Sequence, residues 1–435
     1  MSQAAPPPPP ALGAAPVPAL SRRAAALGSD TARAAGLAGA QLVATGVSLV
    51  ATVVFARLLG TRGYGEYARA TAILVILLVP AMALQVAAAR ETALGHIEDQ
   101  AERVAALARR ERQLLAIAAG VALAAIALRH PLGSLMRVHA EWAAAAVIPT
   151  GCLWAVLAVQ RGTLQGIGGY RPVGVSIAVE QGVRLTAGAL LAAAGLGVTG
   201  AFVGAPVATA LMALWLAVET RRRLGPTTAH GMRPPGLRML VGRGWAPIAA
   251  LTLFAVVQNV DVVVVGHTVG RDASGAYAVA AVAAKGIVWV SVGLGLWLLP
   301  EATRRGADLD DVRPLLRLTL GLLAPVAIVM VGVYAVAGHD VLAAVFGGKA
   351  PLAASALPWL GAAMSLLACS YLATQFLLAV GRVRFIGVLA VAAALEPIVI
   401  VVADSPLRTI ALALLGLQLL LASLLLGIAL RGERG

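Results

Sequence analysis

The residues with chemistry to offer are the few ionisable side chains inside long apolar runs. Glu180 and Arg184 lie four apart in one run. Asp261 occupies another, with Gln258 one turn earlier and Asn259 nearby, and Lys285 falls in the run that follows. Glu396, followed by Pro397, sits in a run near the end of the chain. A charge in a bilayer core costs about 2.5–3.5 kcal/mol on insertion scales, so such groups face a partner or a polar path. Glu180 and Arg184 share a helix face and are placed to pair. Asp261 and Lys285, on neighbouring runs, are placed to approach one another. A lysine ammonium suits a diphosphate where bidentate geometry is not demanded, with Asp261 holding it or taking a coupling cation. Glu396 reads as a proton or sodium site. Arg57, Arg69 and Arg90 flank the first two runs, as cations of a path or as anchors snorkelling to headgroups. Each residue also has a bland reading: a self-neutralised pair, a carboxyl bonded to backbone, or an anchor.

Bond-making chemistry finds little support. Gly347-Gly348-Lys349-Ala350 lacks the rest of a phosphate-binding loop, and neither His-Glu-x-x-His nor Gly-x-Ser-x-Gly occurs. The histidines (His96, His130, His139, His230, His267, His339) are scattered, and Cys152 and Cys369 both lie in apolar runs. No metal site, disulfide framework or cofactor is expected.

The elements that hold these charges follow from composition. Of 435 residues 60% are hydrophobic and only 12% charged, against about a quarter charged in a soluble domain. A bilayer can use such a chain where a soluble core cannot. About 20 apolar residues span the hydrocarbon, and twelve runs qualify: 35–57, 68–89, 113–130, 142–160, 173–194, 198–218, 244–265, 276–299, 315–337, 357–379, 385–403 and 409–430. The stretch 338–356 has room for a further half-helix. Residues 1–33 read as a disordered Ala/Pro-rich tail around the Pro6–Pro10 run. Arginines and lysines concentrate in the loops on the side of the N-terminus, which predicts cytoplasmic termini. The net charge of +14 is thereby a topology signal, with anionic lipid headgroups as counter-charge, and nucleic acid is not required.

The chain repeats itself. Gly60-x4-Gly65-x-Tyr67-Ala68 follows the first run, and Gly270-x4-Gly275-x-Tyr277-Ala278 follows the seventh. Arg171-Pro-Val-Gly174-Val175 opens the fifth, and Arg384-Phe-Ile-Gly387-Val388 opens the eleventh. The predicted fold is all-α: a polytopic membrane protein of about twelve transmembrane helices in two repeated lobes. The lobes are residues 34–218 and 244–430, joined by a basic cytoplasmic linker at 219–243 and ending in a tail at 431–435. Parallel repeats of this kind are built around a substrate path between the halves.

Several of these stretches resemble the polysaccharide-biosynthesis exporters. They are Ala56-Arg57-Leu58-Leu59-Gly60 with the Gly-x4-Gly-x-Tyr turn, Ala89-Arg90-Glu91, Leu164-Gln165-Gly166 with Tyr170-Arg171, and Asn259-x-Asp261 ahead of Gly270. That group comprises the O-antigen and capsule-type flippases of the multidrug/oligosaccharidyl-lipid/polysaccharide, MATE-like exporter superfamily. The resemblance implies a V-shaped bundle around a central cavity. It implies a non-enzymatic activity: moving a polyprenyl-diphosphate-linked oligosaccharide from the inner to the outer leaflet of a bacterial cytoplasmic membrane. The expected partners are that lipid-linked glycan, membrane lipids, and the glycan polymerase or glycosyltransferases of the same pathway. An aromatic content of 4% is low for such exporters and leaves the glycan open. Two other readings remain: a cation-coupled multidrug-type exporter, and an integral-membrane enzyme of envelope glycan assembly, which the short loops disfavour.

Overall fold

The computed structural model describes residues 18–93, 100–224, 245–305, 309–347, 350–404 and 406–430. Most of the linker expected at 219–243, Gly348 and Lys349, and the tail at 431–435 lie outside them. Among the described residues there are helices and no strands. In chain order they are α1 (Pro18–Ala93), α2 (Gln100–Ala127), α3 (Arg129–Met136), α4 (Glu141–Gly166) and α5 (Tyr170–Leu191). A π-helical turn (Ala192–Leu196) leads into α6 (Gly197–Leu224). Then come α7 (Trp245–Thr268), α8 (Arg271–Ala284), α9 (Gly286–Arg305), α10 (Leu309–Phe346), a 3-10 turn (Ala350–Ala353), α11 (Leu357–Ala379), α12 (Phe385–Ala403) and α13 (Leu407–Leu430).

Nine helical stretches among the described residues are long and apolar enough to cross a bilayer, ten if α2 and α3, bent by 81°, make one span. Two of them, Gly39–Ala93 and Tyr170–Arg223, run to 55 and 54 residues. A straight helix of that length measures about 80 Å, against a hydrocarbon core of about 30 Å. Each is broken by glycine: Gly60 at φ 66° in the first, Gly195 at φ 97° and Gly197 at φ 50° in the second. These are left-handed backbone conformations that glycine adopts without a Cβ penalty.

The structure departs from the sequence reading at the ends of elements. Helix α1 begins at Pro18, so only residues 1–17 of the expected tail lie outside the described residues; the Ala- and Arg-rich segment after Pro18 has strong helix propensity. The half-helix expected in 338–356 is a continuation of α10 past a break at Ala337 (φ −121°, ψ 16°), followed by the 3-10 turn.

Within the first half, α1 packs on α4 and α5, α2 on α4, and α5 on α6. Within the second, α7 packs on α12, α9 on α11, and α11 on α10 and α13. The halves meet where α1 touches α7 and α8. Small residues set the spacing, as membrane helices require: a Cβ on Gly204 of α6 would lie 2.8 Å from the Gly188 Cα of α5. Apolar side chains also face outward. Val336 is 91% exposed and Val402 78%, positions that hydrocarbon covers and water would penalise.

Candidate functional site

Two buried charge clusters and one seam between the halves make up the site. In the second half, α7 carries Asp261 into full burial, where both its oxygens are bonded. The Tyr277 phenol of α8 donates to Oδ2 at 3.1 Å, and Lys285 Nζ donates to Oδ1 at 3.0 Å. The expected approach of Asp261 and Lys285 is therefore present. Lys285 does not sit within a continuous helix, however. It caps α8 at its C-terminus, and the Val288 N–H closes a tight turn back onto its carbonyl before α9 proceeds. Glu396 of α12 is fully buried within electrostatic reach of Asp261 and Lys285. Gln418 Nε2 of α13 donates to its Oε2 at 3.4 Å. The Oε1 atoms of Glu396 and Gln418 are both buried and make no hydrogen bond within the protein. Asn259 is tied to its own helix, donating to the Ala255 carbonyl at 2.9 Å, and Gln258 is half-buried.

In the first half the pairing differs from the expectation. Glu180 does not bridge Arg184. It accepts from Arg161 Nη2 of α4 at 2.8 Å and from the Thr209 hydroxyl of α6 at 3.2 Å. Arg161 Nε also donates to the Ser176 hydroxyl at 2.9 Å, and its guanidinium stacks 5.9 Å from the Trp154 ring. Arg161 of α4 and Thr209 of α6 thus satisfy one carboxylate oxygen each, a two-sided match that donors from two neighbouring helices supply and a single i,i+4 arginine does not. Arg184 turns to the Tyr67 hydroxyl, 3.4 Å away, where Phe55, Tyr64 and Tyr67 form an aromatic cluster. Among the described residues no carboxylate lies within ion-pair distance of Arg184.

The seam is built from the two copies of the Gly-x4-Gly-x-Tyr turn. A Cβ added to Gly65 would lie 2.8 Å from the Gly275 Cα, and one added to Gly275 would collide with the Thr61 carbonyl. Arg62 and Asp272, also 210 residues apart, form a two-pronged bridge of 2.6 and 2.9 Å. Equivalent residues of two repeats touch only near the axis that relates them, so that axis passes through this seam. Arg69, only 4% exposed, donates to the Ser274 hydroxyl at 2.6 Å and to the Arg137 carbonyl at 2.8 Å. Arg57 donates to the carbonyls of Ala344 and Val345 at 2.8 and 3.3 Å. Arg57 and Arg69 thus join the halves, whereas Arg90 is exposed in the last turn of α1, away from the seam. Sequence reasoning did not single out Arg161, Gln418, Arg62 or Asp272. The offset of 210 was the signal available for the last two, and a lone glutamine in the apolar run 409–430 the signal for Gln418. Among the described residues no group of three or more metal-ligating side chains converges.

A third feature is a cleft of about 460 Å³ between α1 and α5, lined by Gly36, Leu37, Ala40, Tyr170, Arg171 and Gly174, with Arg171 the only charge among the described residues that line it.

Comparison with known proteins adds the following. A family model described as polysaccharide biosynthesis protein matches residues 32–293. No curated protein sequence matches the chain. Among solved structures, an inward-facing multidrug resistance MATE family transporter of the MOP superfamily superposes with a TM-score of 0.72 at 12% identity, covering 88% of this chain and 92% of that one. An outward-facing conformation of such a transporter gives 0.58 at 12% identity over 91% and 94%. Lipid II flippase MurJ in an inward closed conformation gives 0.66 at 12% identity over 90% and 86%.

Proposed function

Because the chain belongs to the polysaccharide biosynthesis protein family, we propose that it carries a polyprenyl-diphosphate-linked oligosaccharide from the inner to the outer leaflet of a bacterial cytoplasmic membrane. It does so by alternating access and makes or breaks no bond. The observation that carries this reading is the two-fold seam. Two halves that meet at one end through their equivalent turns can part there and close at the other, which is the motion alternating access needs. In this reading residues 34–218 and 244–430 are the two lobes. The two double-length helices each cross twice and α2 with α3 cross once, giving twelve crossings. The seam is the outer gate, the termini are cytoplasmic, and the path opens inward.

The charges fit the cargo. A diphosphate leaving water needs cations to offset its dehydration. Arg184, whose hydrogen-bond partner is a phenol, makes no ion pair among the described residues, although Glu180 lies within electrostatic reach. Lys285 is held by Asp261 and can exchange that carboxylate for a phosphate. Glu396, with an orphaned oxygen, is the group for a coupling proton or sodium ion. The cleft beside Arg171 suits a prenyl chain whose phosphates stay near the cytoplasmic surface. Lipid headgroups, and the polymerase or glycosyltransferases that make the cargo, are its expected partners.

The test is transport of lipid-linked glycan by Lys285→Ala and Lys285→Arg in cells lacking the native gene. Loss in the first with partial retention in the second supports the role of Lys285; undiminished transport in the first removes it. A second reading, cation-coupled export of small molecules, draws on the fold shared with the multidrug transporter. It predicts drug sensitivity and normal glycan levels in the same cells.

A further inference from the structure

On the seam, the link between α3 and α4 brings His139 between Glu66 of α1 and Arg271 at the start of α8. Glu66 Oε1 meets His139 Nδ1 at 3.1 Å, and its Oε2 accepts the backbone N–H groups of His139 and Ala140 at 2.8 and 3.3 Å. With Nδ1 tied to a carboxylate, the ring presents Nε2 to the Arg271 guanidinium, which it contacts through Nη2. A guanidinium has only donors, so Nε2 must be an unprotonated acceptor. The contact thus exists only while His139 is neutral. The ring is more than half exposed, and water can reach it.

We propose that His139 is a proton-binding site that latches the two halves together when empty and releases them when occupied. A proton taken from the adjoining water onto Nε2 removes the acceptor from Arg271 and sets two cations face to face. Of the surrounding groups, Arg69 adds a further cation beside Arg271 and strengthens that effect, while His267 works against it. Arg69 stands within electrostatic reach of Glu66, Arg271 and Arg137. Asp272 is engaged by Arg62. His267, in the last turn of α7, faces two acceptors, the Leu135 carbonyl of α3 at Nε2 and the Val263 carbonyl at Nδ1, so it can donate to both, and tie α7 to α3, only as a doubly protonated ring. Glu141 is shared by Arg129 and His130. Glu66 is therefore the carboxylate that holds His139, and it bonds the Nδ1 side, not the side facing Arg271. Acid on this face opens the seam, and neutral pH closes it. The idea rests on the alternating-access reading, in which this is the outer face, and it gives an outward-acidic proton gradient a direct hold on the outer gate.

The test uses the full chain in liposomes with Cys152 and Cys369 replaced by Ser and spin labels at Ser134 and Asp340, exposed residues of the two halves. Lowering the pH from about 8 to about 5, the interval in which histidine changes charge, should raise the ratio of long to short label distances about threefold, the scale of a charge contact at an exposed site. His139→Gln, which cannot become cationic, and Arg271→Gln, which removes the opposing cation, should each abolish most of that rise. An unchanged rise in His139→Gln, or no rise in the parent protein, overturns the proposal. Glycan movement is scored separately. A pH-responsive seam without glycan movement leaves the latch standing and sinks the cargo; glycan movement with an unresponsive seam sinks the latch alone.

Discussion

Lys285 and Asp261 are 7% and 0% exposed at their side chains and 3.0 Å apart. Two such charges are tolerated in apolar surroundings because each neutralises the other. Removing one partner strands the other, at a cost of about 3–5 kcal/mol, whereas removing both is far milder. Asp261→Asn alone should therefore lower the melting temperature in detergent more than the Asp261→Asn, Lys285→Met double variant, as read by thermal unfolding fluorimetry. The same comparison applies to Glu180→Gln and the Glu180→Gln, Arg161→Met pair. Arg184→Gln, by contrast, breaks no ion pair among the described residues and should leave the melting temperature within a degree or two while lowering glycan transport. The sequence spacing put Asp261 and Lys285 in reach because consecutive membrane helices are neighbours. It misassigned the partner of Glu180 because helical spacing ranks residues on one helix only. The Arg161 guanidinium arrives from another helix, at a distance set by inter-helix packing that no local pattern encodes.

At the scale of elements, the Gly-x4-Gly-x-Tyr turn is the best example of a pattern whose cause emerged only in three dimensions. As sequence it marked a repeat. In the structure Gly65 and Gly275 are glycine because the turns press backbone to backbone. Gly275→Ala should accordingly loosen the seam: deuterium exchange in segments 60–70 and 270–278 should speed up relative to the parent protein. Gly387→Ala, at a helical position with nothing within 4 Å of the added carbon, should leave exchange there unchanged. Reversing the exposed bridge makes the same point through charge. Arg62→Asp should open the seam, and adding Asp272→Arg should close it again. Helix ends were less legible. The break at Lys285 carries no proline, and the apolar run 276–299 passes through it, so the sequence offered one span where the chain is divided; the bend after α2, just ahead of Pro131, falls where the run 113–130 ends.

At the scale of the whole molecule, composition alone required a membrane protein, and the repeat required two related halves. What it could not supply is where the halves touch, because contact between distant repeats depends on the state in which the bundle is held. The structure has them closed at the Gly60 and Gly270 turns, whose tyrosines, Tyr67 and Tyr277, bond Arg184 and Asp261. The reading of this arrangement as a flippase is tested most directly by the lipids of a strain lacking the gene. Polyprenyl-diphosphate-linked glycans would be quantified by mass spectrometry together with their accessibility in each leaflet. The account predicts build-up of a completed glycan confined to the inner leaflet, reversed by the intact gene and not by the Lys285→Ala variant. Normal glycan levels, or build-up of a shortened glycan, would contradict it.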